Sequence, residues 1–320
     1  MHAIVAREAG GPEVLTLAQV ERPVPGPGQL LVKVAAVGVN FIDTYKRSGS
    51  YKVGYPFTPG SEASGTVEEL GDGVSGFSAG DRVATAEGVN CYAGYALIDE
   101  DKALPVPHGV DDFTAAALPL QGITAHYLIN SSFKVEPGHT VLLHAGAGGV
   151  GLLLIQLLKA RGARVITTVS TDDKEQLARE AGADHVLRYD GFAARVRELT
   201  DGAGADVVYD GVGKDTFDGS LAALRIRGTL VLFGAASGPV PPFDPQRLNA
   251  GGSLYMTRPT IGHFLRNAQE RRWRSDELFA AVADGSLNVR IGARYDLAEA
   301  AQAHDDLEQR RTTGKVILVP

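Results

Sequence analysis

Apolar residues fall along the chain in two regimes. Through about residue 105 they come in short, β-branched runs separated by turn residues, so 14–20, 30–39, 63–70, 81–86 and 95–99 read as strands. Pro23-Val-Pro25-Gly-Pro27-Gly28 makes a rigid connector between the first two. Short strands with frequent turns predict a compact barrel-like or sandwich unit. After Asp111 the period changes. Asp111-Asp112 reads as the N-terminal cap of a helix over 113–118, and 121–129 reads as a second. From residue 140 strand and helix alternate, with strands at 141–144, 164–169, 185–188, 206–210 and 229–234 and helices ending near Gly162, Gly182 and Gly228. That alternation specifies an α/β, doubly wound parallel sheet. A strand at 253–257, helices at 264–283 and 297–310 and a strand at 315–319 complete the pattern. A β-rich unit before a mid-chain α/β unit, with a returning tail, implies that the tail rejoins the first. The expected domains are 1–122 with 262–320, and 123–261.

The strand at 141–144 runs into Gly146-Ala-Gly148-Gly149-Val150-Gly151, a G-x-G-x-x-G followed by a long apolar helix. The first glycine makes the tight turn, the second lets backbone approach a pyrophosphate, and the third lets the helix pack on the strand. Unpaired N–H groups of the helix start, including those of Gly149 and Val150, complement phosphate charge. Strand before and helix after supply the context this motif needs. Dinucleotide binding by a Rossmann unit is the expectation.

Composition adds exclusions. The 320 residues exceed what one core usually holds, and 44% hydrophobic with 22% charged residues is ordinary for a soluble globular protein. A net charge of −7 with no long basic run argues against a dedicated nucleic-acid surface. The single cysteine, Cys91, allows no internal disulfide and fits a reducing compartment. The N-terminal residues lack the apolar stretch of a signal peptide, and no apolar run is long enough to span a bilayer. A cytoplasmic location follows as an expectation.

An NAD site usually carries an acidic residue at the end of the second strand. Here that strand ends in Ser170-Thr171, with Lys174 one turn on. A hydroxyl pair and an ammonium suit a 2′-phosphate, so NADP(H) is the expected coenzyme. Asp172 and Asp173 could reach a ribose, or could supply N-terminal charge to the next helix. Tyr189 packs on the adenosine end or belongs to the core.

Asn40-Phe-Ile-Asp-Thr-Tyr45, Arg47-Ser-Gly49, Gly80-Asp-Arg-Val83, the glycine motif, Tyr209-Asp-Gly-Val-Gly213, Phe233-Gly234, Gly252-Ser-Leu-Tyr255, Thr257-Arg-Pro259 and Gly314-Lys315 occur in order along the chain. In these the sequence resembles the medium-chain dehydrogenase/reductase superfamily, and within it the quinone oxidoreductase family that includes zeta-crystallin. The resemblance implies a GroES-like, β-rich catalytic domain beside the Rossmann domain. Zinc-dependent relatives place a Cys where Asn40 stands and a His where Ser61 stands, and often carry four further cysteines. No metal site is therefore expected. Without a Lewis acid the bias shifts toward acceptors that are already electrophilic, of which quinones are the leading class.

The resemblance also assigns roles. Asn40 would contact the nicotinamide or the acceptor carbonyl, unless it is only a strand-end cap. Tyr45 and Tyr51 would line the acceptor cleft. Thr124 would lie beside the nicotinamide, with Gly211, Val212, Phe233, Gly234 and Ser237 as its wall at the strand ends. Lys315 would cover the coenzyme, or is a surface charge on the last strand. The strand at 253–257 resembles one that pairs across a dimer, so a homodimer is expected. The resulting expectation is an NADPH-dependent quinone reductase. Its rivals are an enone or alkenal reductase on the same scaffold, and a non-enzymatic crystallin or RNA-binding role that the acidic charge weighs against.

Overall fold

Residues 1–320 are all described by the computed structural model, and the chain divides into two units, Met1–Ile123 with Leu265–Pro320, and Thr124–Phe264. The N-terminal stretch forms β1 (His2–Val5), β2 (Thr16–Gln19), β3 (Gln29–Val39), α1 (Phe41–Arg47), β4 (Ala63–Leu70), β5 (Arg82–Thr85), β6 (Tyr95–Asp99), β7 (Leu104–Pro105), α2 (Asp112–Ala117) and α3 (Pro119–Tyr127). The second unit continues with β8 (Thr140–Leu143), α4 (Gly149–Ala160), β9 (Arg164–Thr168), α5 (Asp172–Glu180), β10 (His185–Leu187), α6 (Phe192–Leu199), β11 (Ala205–Asp210), α7 (Phe217–Ala223), β12 (Leu224–Leu232), α8 (Gln246–Ala250) and β13 (Tyr255–Thr257). The tail adds α9 (Ala268–Ala283), β14 (Ile291–Asp296), α10 (Ala300–Glu308) and β15 (Lys315–Val319).

In the first unit β3 is the organising strand. It pairs antiparallel with β4, β6 and β15, inside a seven-stranded sheet ordered β14-β15-β3-β4-β5-β7 with β6 also on β3. The tail strand β15 thus completes the sheet begun by the N-terminus. One core gathers Ile4, Val37, Val39, Tyr92, Leu297, Ala300 and Leu318. Gly38 has no room for a side chain: a Cβ there would stand 2.2 Å from Glu62 Oε2 and 2.7 Å from the Ala116 carbonyl. Glycine at that strand position admits the Glu62 carboxylate to the interior.

In the second unit six parallel strands run in the order β10-β9-β8-β11-β12-β13, with the order reversing at β8. Such a reversal opens a crevice at the carboxyl ends of the strands, where doubly wound sheets bind ligands. Leu142, Ile166, Val208 and Leu230 from four strands pack with Phe192, Val196, Phe217 and Leu221 from α6 and α7. Truncating one of these leucines to Ala would cost about 2–5 kcal/mol. Helix α4 buries Leu152, Leu153, Leu154, Ile155 and Leu158 and stops at Arg161, after which Gly162 adopts φ +74°. A left-handed glycine there releases the chain from the helix.

Several elements depart from the sequence expectation. Residues after β3 turn into α1, and β14 was not foreseen. Strand β2 starts only at Thr16, because Pro12–Val14 forms a 3₁₀ turn. Helix α9 begins at Ala268, capped by Asn267, which accepts the Glu270 N–H at 2.9 Å. Gly228 is not a helix terminator. It lies inside β12, where Arg227 has φ +59° and the pairing with β11 shifts register. A Cβ on Gly228 would approach the Arg225 and Ala205 carbonyls to 2.9 and 3.1 Å, so the glycine serves an irregularity in the strand.

Candidate active site

In the second unit, β8 leads through buried His144 and left-handed Ala145 (φ +58°) into the glycine turn. A Cβ on Gly146 would stand 2.2 Å from Thr167 Oγ1, and one on Gly151 2.3 Å from the Ala145 carbonyl. Both glycines are demanded by packing. Gly148, the N-cap of α4, is different: its Cβ would meet only the Ala145 carbonyl, at 3.2 Å. Its open side and the half-buried Gly149 and Val150 leave the helix start accessible to an anion. The turn fits a pyrophosphate.

At the end of β9, Ser170 and Thr171 are exposed, and Thr171 caps α5 by accepting the Lys174 N–H at 3.3 Å. Asp172 pairs with Arg188, a residue that sequence reasoning passed over although it adjoins Tyr189. Arg188 Nη1 is buried and has no hydrogen-bond partner. Tyr189 is half-buried and stacks on His144 with ring centroids 6.1 Å apart.

Asp210 at the end of β11 shapes the next loop. Its carboxylate accepts the N–H groups of Val212 and Gly213, both at 2.9 Å, and the hydroxyls of Thr216 and Ser220 at 2.8 and 2.7 Å. Because Ser220 donates to Asp210, its oxygen must accept from His144 Nε2 at 2.9 Å. His144 Nδ1 then accepts from Thr168 Oγ1 at 2.8 Å. The chain Thr168–His144–Ser220–Asp210 ties three strand ends together and fixes the Nε2–H tautomer. Burial pulls the imidazole down to about 4, against the opposing charge of Asp210, so His144 is neutral at pH 7.

Gly211 and Gly234 interlock. A Cβ on the first would strike the Phe233 ring at 2.8 Å, and one on the second the Gly211 carbonyl at 2.5 Å. Ser237 is drawn inward instead of standing as a free wall: its hydroxyl donates to the Val212 carbonyl at 2.8 Å and accepts the Asp215 N–H at 3.0 Å. Its part is to hold the 211–213 loop. Thr124, on α3, is buried.

The first unit holds the other candidates. Asn40 is the N-cap of α1 and forms a capping box with Asp43, whose carboxylate accepts the Asn40 N–H at 3.1 Å. The Asn40 amide donates to Glu62 Oε2 at 2.7 Å and the Gly38 carbonyl at 3.2 Å, and accepts from Lys315 Nζ at 2.7 Å. Lys315 also pairs with Glu62, whose other oxygen accepts the Leu120 N–H at 2.7 Å. Lys315 is therefore no surface charge: it is 1% exposed, and its ammonium is bonded within this pair. Burial pulls that ammonium below the usual lysine range, and the Glu62 carboxylate opposes the pull. Glu62 had no signal in the sequence beyond its place beside Ser61.

A second buried set adjoins it. Lys46 Nζ donates to Ser61 Oγ at 2.9 Å, and Ser61 donates to Asp43 at 3.3 Å. Burial pushes Asp43 up to about 6, with Lys46 and the Asn40 N–H pulling the other way. Arg47 holds Glu308 through two contacts of 2.8 and 2.9 Å and donates to His304 Nδ1 at 3.2 Å, which leaves His304 Nε2 to donate to Tyr92 Oη at 2.9 Å. Tyr45 and Tyr51 come together, with centroids 5.5 Å apart and Tyr51 47% exposed. No group of three or more His, Cys, Asp or Glu side chains is arranged to hold a metal ion.

Comparison with known proteins agrees with both halves. Residues 26–132 match the alcohol dehydrogenase GroES-like domain, and residues 149–280 the zinc-binding dehydrogenase domain. A quinone oxidoreductase of Pseudomonas aeruginosa is 45% identical over 97% of each chain, and a 2-haloacrylate reductase of Burkholderia is 41% identical over 99% of this chain and 98% of its own. The structure of mycobacterial Rv1454c complexed with NADPH superposes with a TM-score of 0.98 at 54% identity, covering the whole of both chains. Escherichia coli quinone oxidoreductase complexed with NADPH gives 0.98 at 40% identity, again over both whole chains. The chain belongs to the quinone oxidoreductase family of the medium-chain dehydrogenase/reductase superfamily.

Proposed function

We propose that this protein is an NADPH-dependent quinone reductase that works without a metal. The observation that carries the reading is the fate of Asn40 and Ser61, the positions at which zinc-dependent relatives hold their ion. Each is bonded to a lysine ammonium, Lys315 and Lys46 respectively, at 2.7 and 2.9 Å. Two cations beside those side chains oppose a dication there. What remains suits an acceptor that needs little electrophilic help.

The reduced nicotinamide, when bound, supplies the hydride equivalent. The protein binds and orients. The turn that Gly146 and Gly151 pack presents Gly148, Gly149 and Val150 to the pyrophosphate, and Ser170, Thr171, Lys174 and Tyr189 take the adenosine end. Thr124, Gly211, Val212, Phe233 and Gly234 form the nicotinamide wall. Tyr45 and Tyr51 offer ring faces to a planar quinone, which takes up one hydride equivalent and one proton to become the hydroquinone. Asn40 and Lys315 act one step removed, as a buried scaffold beneath α1.

Following NADPH oxidation against a panel of quinones and α,β-unsaturated carbonyls, with and without chelator, tests this. Quinone turnover unchanged by chelation is expected; chelator-sensitive turnover, or activity with the carbonyls alone, overturns it. The second outcome would favour a C=C reductase, a reading encouraged by the likeness to 2-haloacrylate reductase.

Strand β13 ends the six-stranded sheet, and Tyr255 on it and Ile226 on β12 are 62% and 70% exposed. Such an edge supports pairing with a second copy, hence a homodimer, and a monomeric mass by ultracentrifugation would remove it. The sole cysteine is a buried free thiol, in keeping with a cytoplasmic location. No helix is long and apolar enough to cross a membrane.

A further inference from the structure

Arg188 follows β10, the neighbour of β9 at the adenosine end of the sheet. Its guanidinium reaches across to the first turn of α5. Nη2 pairs with Asp172 and, at 3.0 Å, with Glu175. Nη1 makes no hydrogen bond although it is shielded from water. An unpaired, desolvated guanidinium nitrogen is costly to keep, and a chain that keeps one beside an expected phosphate site has a donor in waiting. The partner it holds meanwhile is easy to release: the Asp172 side chain is 99% exposed. A surface ion pair of that kind contributes little.

We propose that Arg188 is the residue that reads the 2′-phosphate of NADPH, and that Asp172 is its counter-ion in the absence of coenzyme. The inference rests on NADPH being the coenzyme and deepens that reading. A guanidinium fork matches phosphate oxygens two at a time, whereas Lys174 offers a point charge. Ser170 and Thr171 lie beside this turn as hydroxyl donors. Asp172 at the start of α5, which in an NAD site would be read as a ribose ligand, is thereby accounted for: it competes with the phosphate for Arg188. Glu175 keeps the guanidinium in place as Asp172 lets go.

Titration calorimetry of the full-length protein with NADPH, NADH, 2′,5′-ADP and 5′-AMP tests this. Wild-type protein prefers the 2′-phosphorylated member of each pair; if it does not, the NADPH reading itself fails. Arg188→Gln is expected to weaken NADPH and 2′,5′-ADP about 10- to 100-fold while leaving NADH and 5′-AMP unchanged. Arg188→Lys, keeping the charge without the fork, falls between. Asp172→Asn is expected to tighten NADPH several-fold, about the value of one exposed ion pair, without moving NADH. Equal losses for both coenzymes in Arg188→Gln, or no loss, overturn the assignment. So does a selective loss of NADH affinity in Asp172→Asn, which would make that carboxylate a ribose ligand.

Discussion

Lys315, the first residue of β15, forms an ion pair with Glu62, the residue before β4, and their side chains are 1% and 0% exposed. The pair joins the last strand of the chain to the middle of the first unit, with Asn40 bridging both. Glu62 reaches it only because residue 38 has no side chain.

Removing one partner of such a pair leaves a buried charge alone, which costs about 3–5 kcal/mol. Lys315→Met and Glu62→Gln should each lower unfolding stability on that scale in urea titration. The double variant should lose clearly less than the two losses added together, because neither charge is then orphaned. Additive losses would show that the two side chains do not act as a pair.

The glycines separate fold from binding. Gly146→Ala puts a Cβ 2.2 Å from Thr167 Oγ1. Overpacking of this kind costs about 1–3 kcal/mol and lowers Tm. Gly148→Ala meets nothing nearer than the Ala145 carbonyl at 3.2 Å and has ordinary φ −77°, so Tm should fall much less than in Gly146→Ala. Its methyl group would instead stand where the pyrophosphate approaches, and NADPH affinity should fall about tenfold or more. Equal behaviour of the two variants in thermal and coenzyme titrations would contradict this division.

Tyr51 is the exposed member of the aromatic pair. Tyr51→Ala removes a ring contact worth about 0.5–1.5 kcal/mol, or about 2- to 10-fold in kcat/KM for a quinone. Tyr51→Phe should be nearly silent, since stacking needs the ring alone. A loss in Phe as large as in Ala would place the work on the hydroxyl, as protonation of a carbon acceptor would require.

Period and turn chemistry made the α/β unit legible. β8, β9, β10 and β11 fall at the apolar runs that alternate with helical patterns, and the glycine motif lies on the expected turn. Strand β12 lies where a strand is expected but begins at Leu224, before the expected start at 229, because a glycine after an apolar helix reads as a terminator whereas Gly228 serves a local irregularity. Helix α1 escaped notice because its seven residues are too few to display a period and follow an eleven-residue strand. The polar networks were illegible for a different reason. Arg47 meets His304, and His144 meets Ser220, across 257 and 76 residues of chain, and no local pattern announces that a charged side chain will be buried. Lys315 was placed on the strand correctly, but its burial depends on Gly38 and Glu62, far away in sequence.

Three buried groups give acid stability opposing signs. Burial holds His144 at about 4 and His304 at about 3, below the 6.5 of an exposed imidazole. The unfolded chain therefore takes up these protons first, and stability present above pH 6.5 is lost as pH falls toward 4, by about 3 kcal/mol for His144. Asp43, pushed from 3.8 to about 6, behaves in reverse. The folded state keeps its proton longer, so its contribution is whole below pH 3.8 and lost as pH rises through 6, again about 3 kcal/mol. Between pH 4 and 6 the aspartate thus offsets part of what the histidines lose. His144→Gln, which retains a donor for Ser220 but cannot charge, should be less stable at pH 7 yet decline more gently on acidification. Asp43→Asn should decline more steeply than wild type. Urea midpoints at pH 7.5, 6.0, 5.0 and 4.5 test the order. A steeper decline in His144→Gln than in Asp43→Asn would mean that burial of these groups does not govern the acid limb.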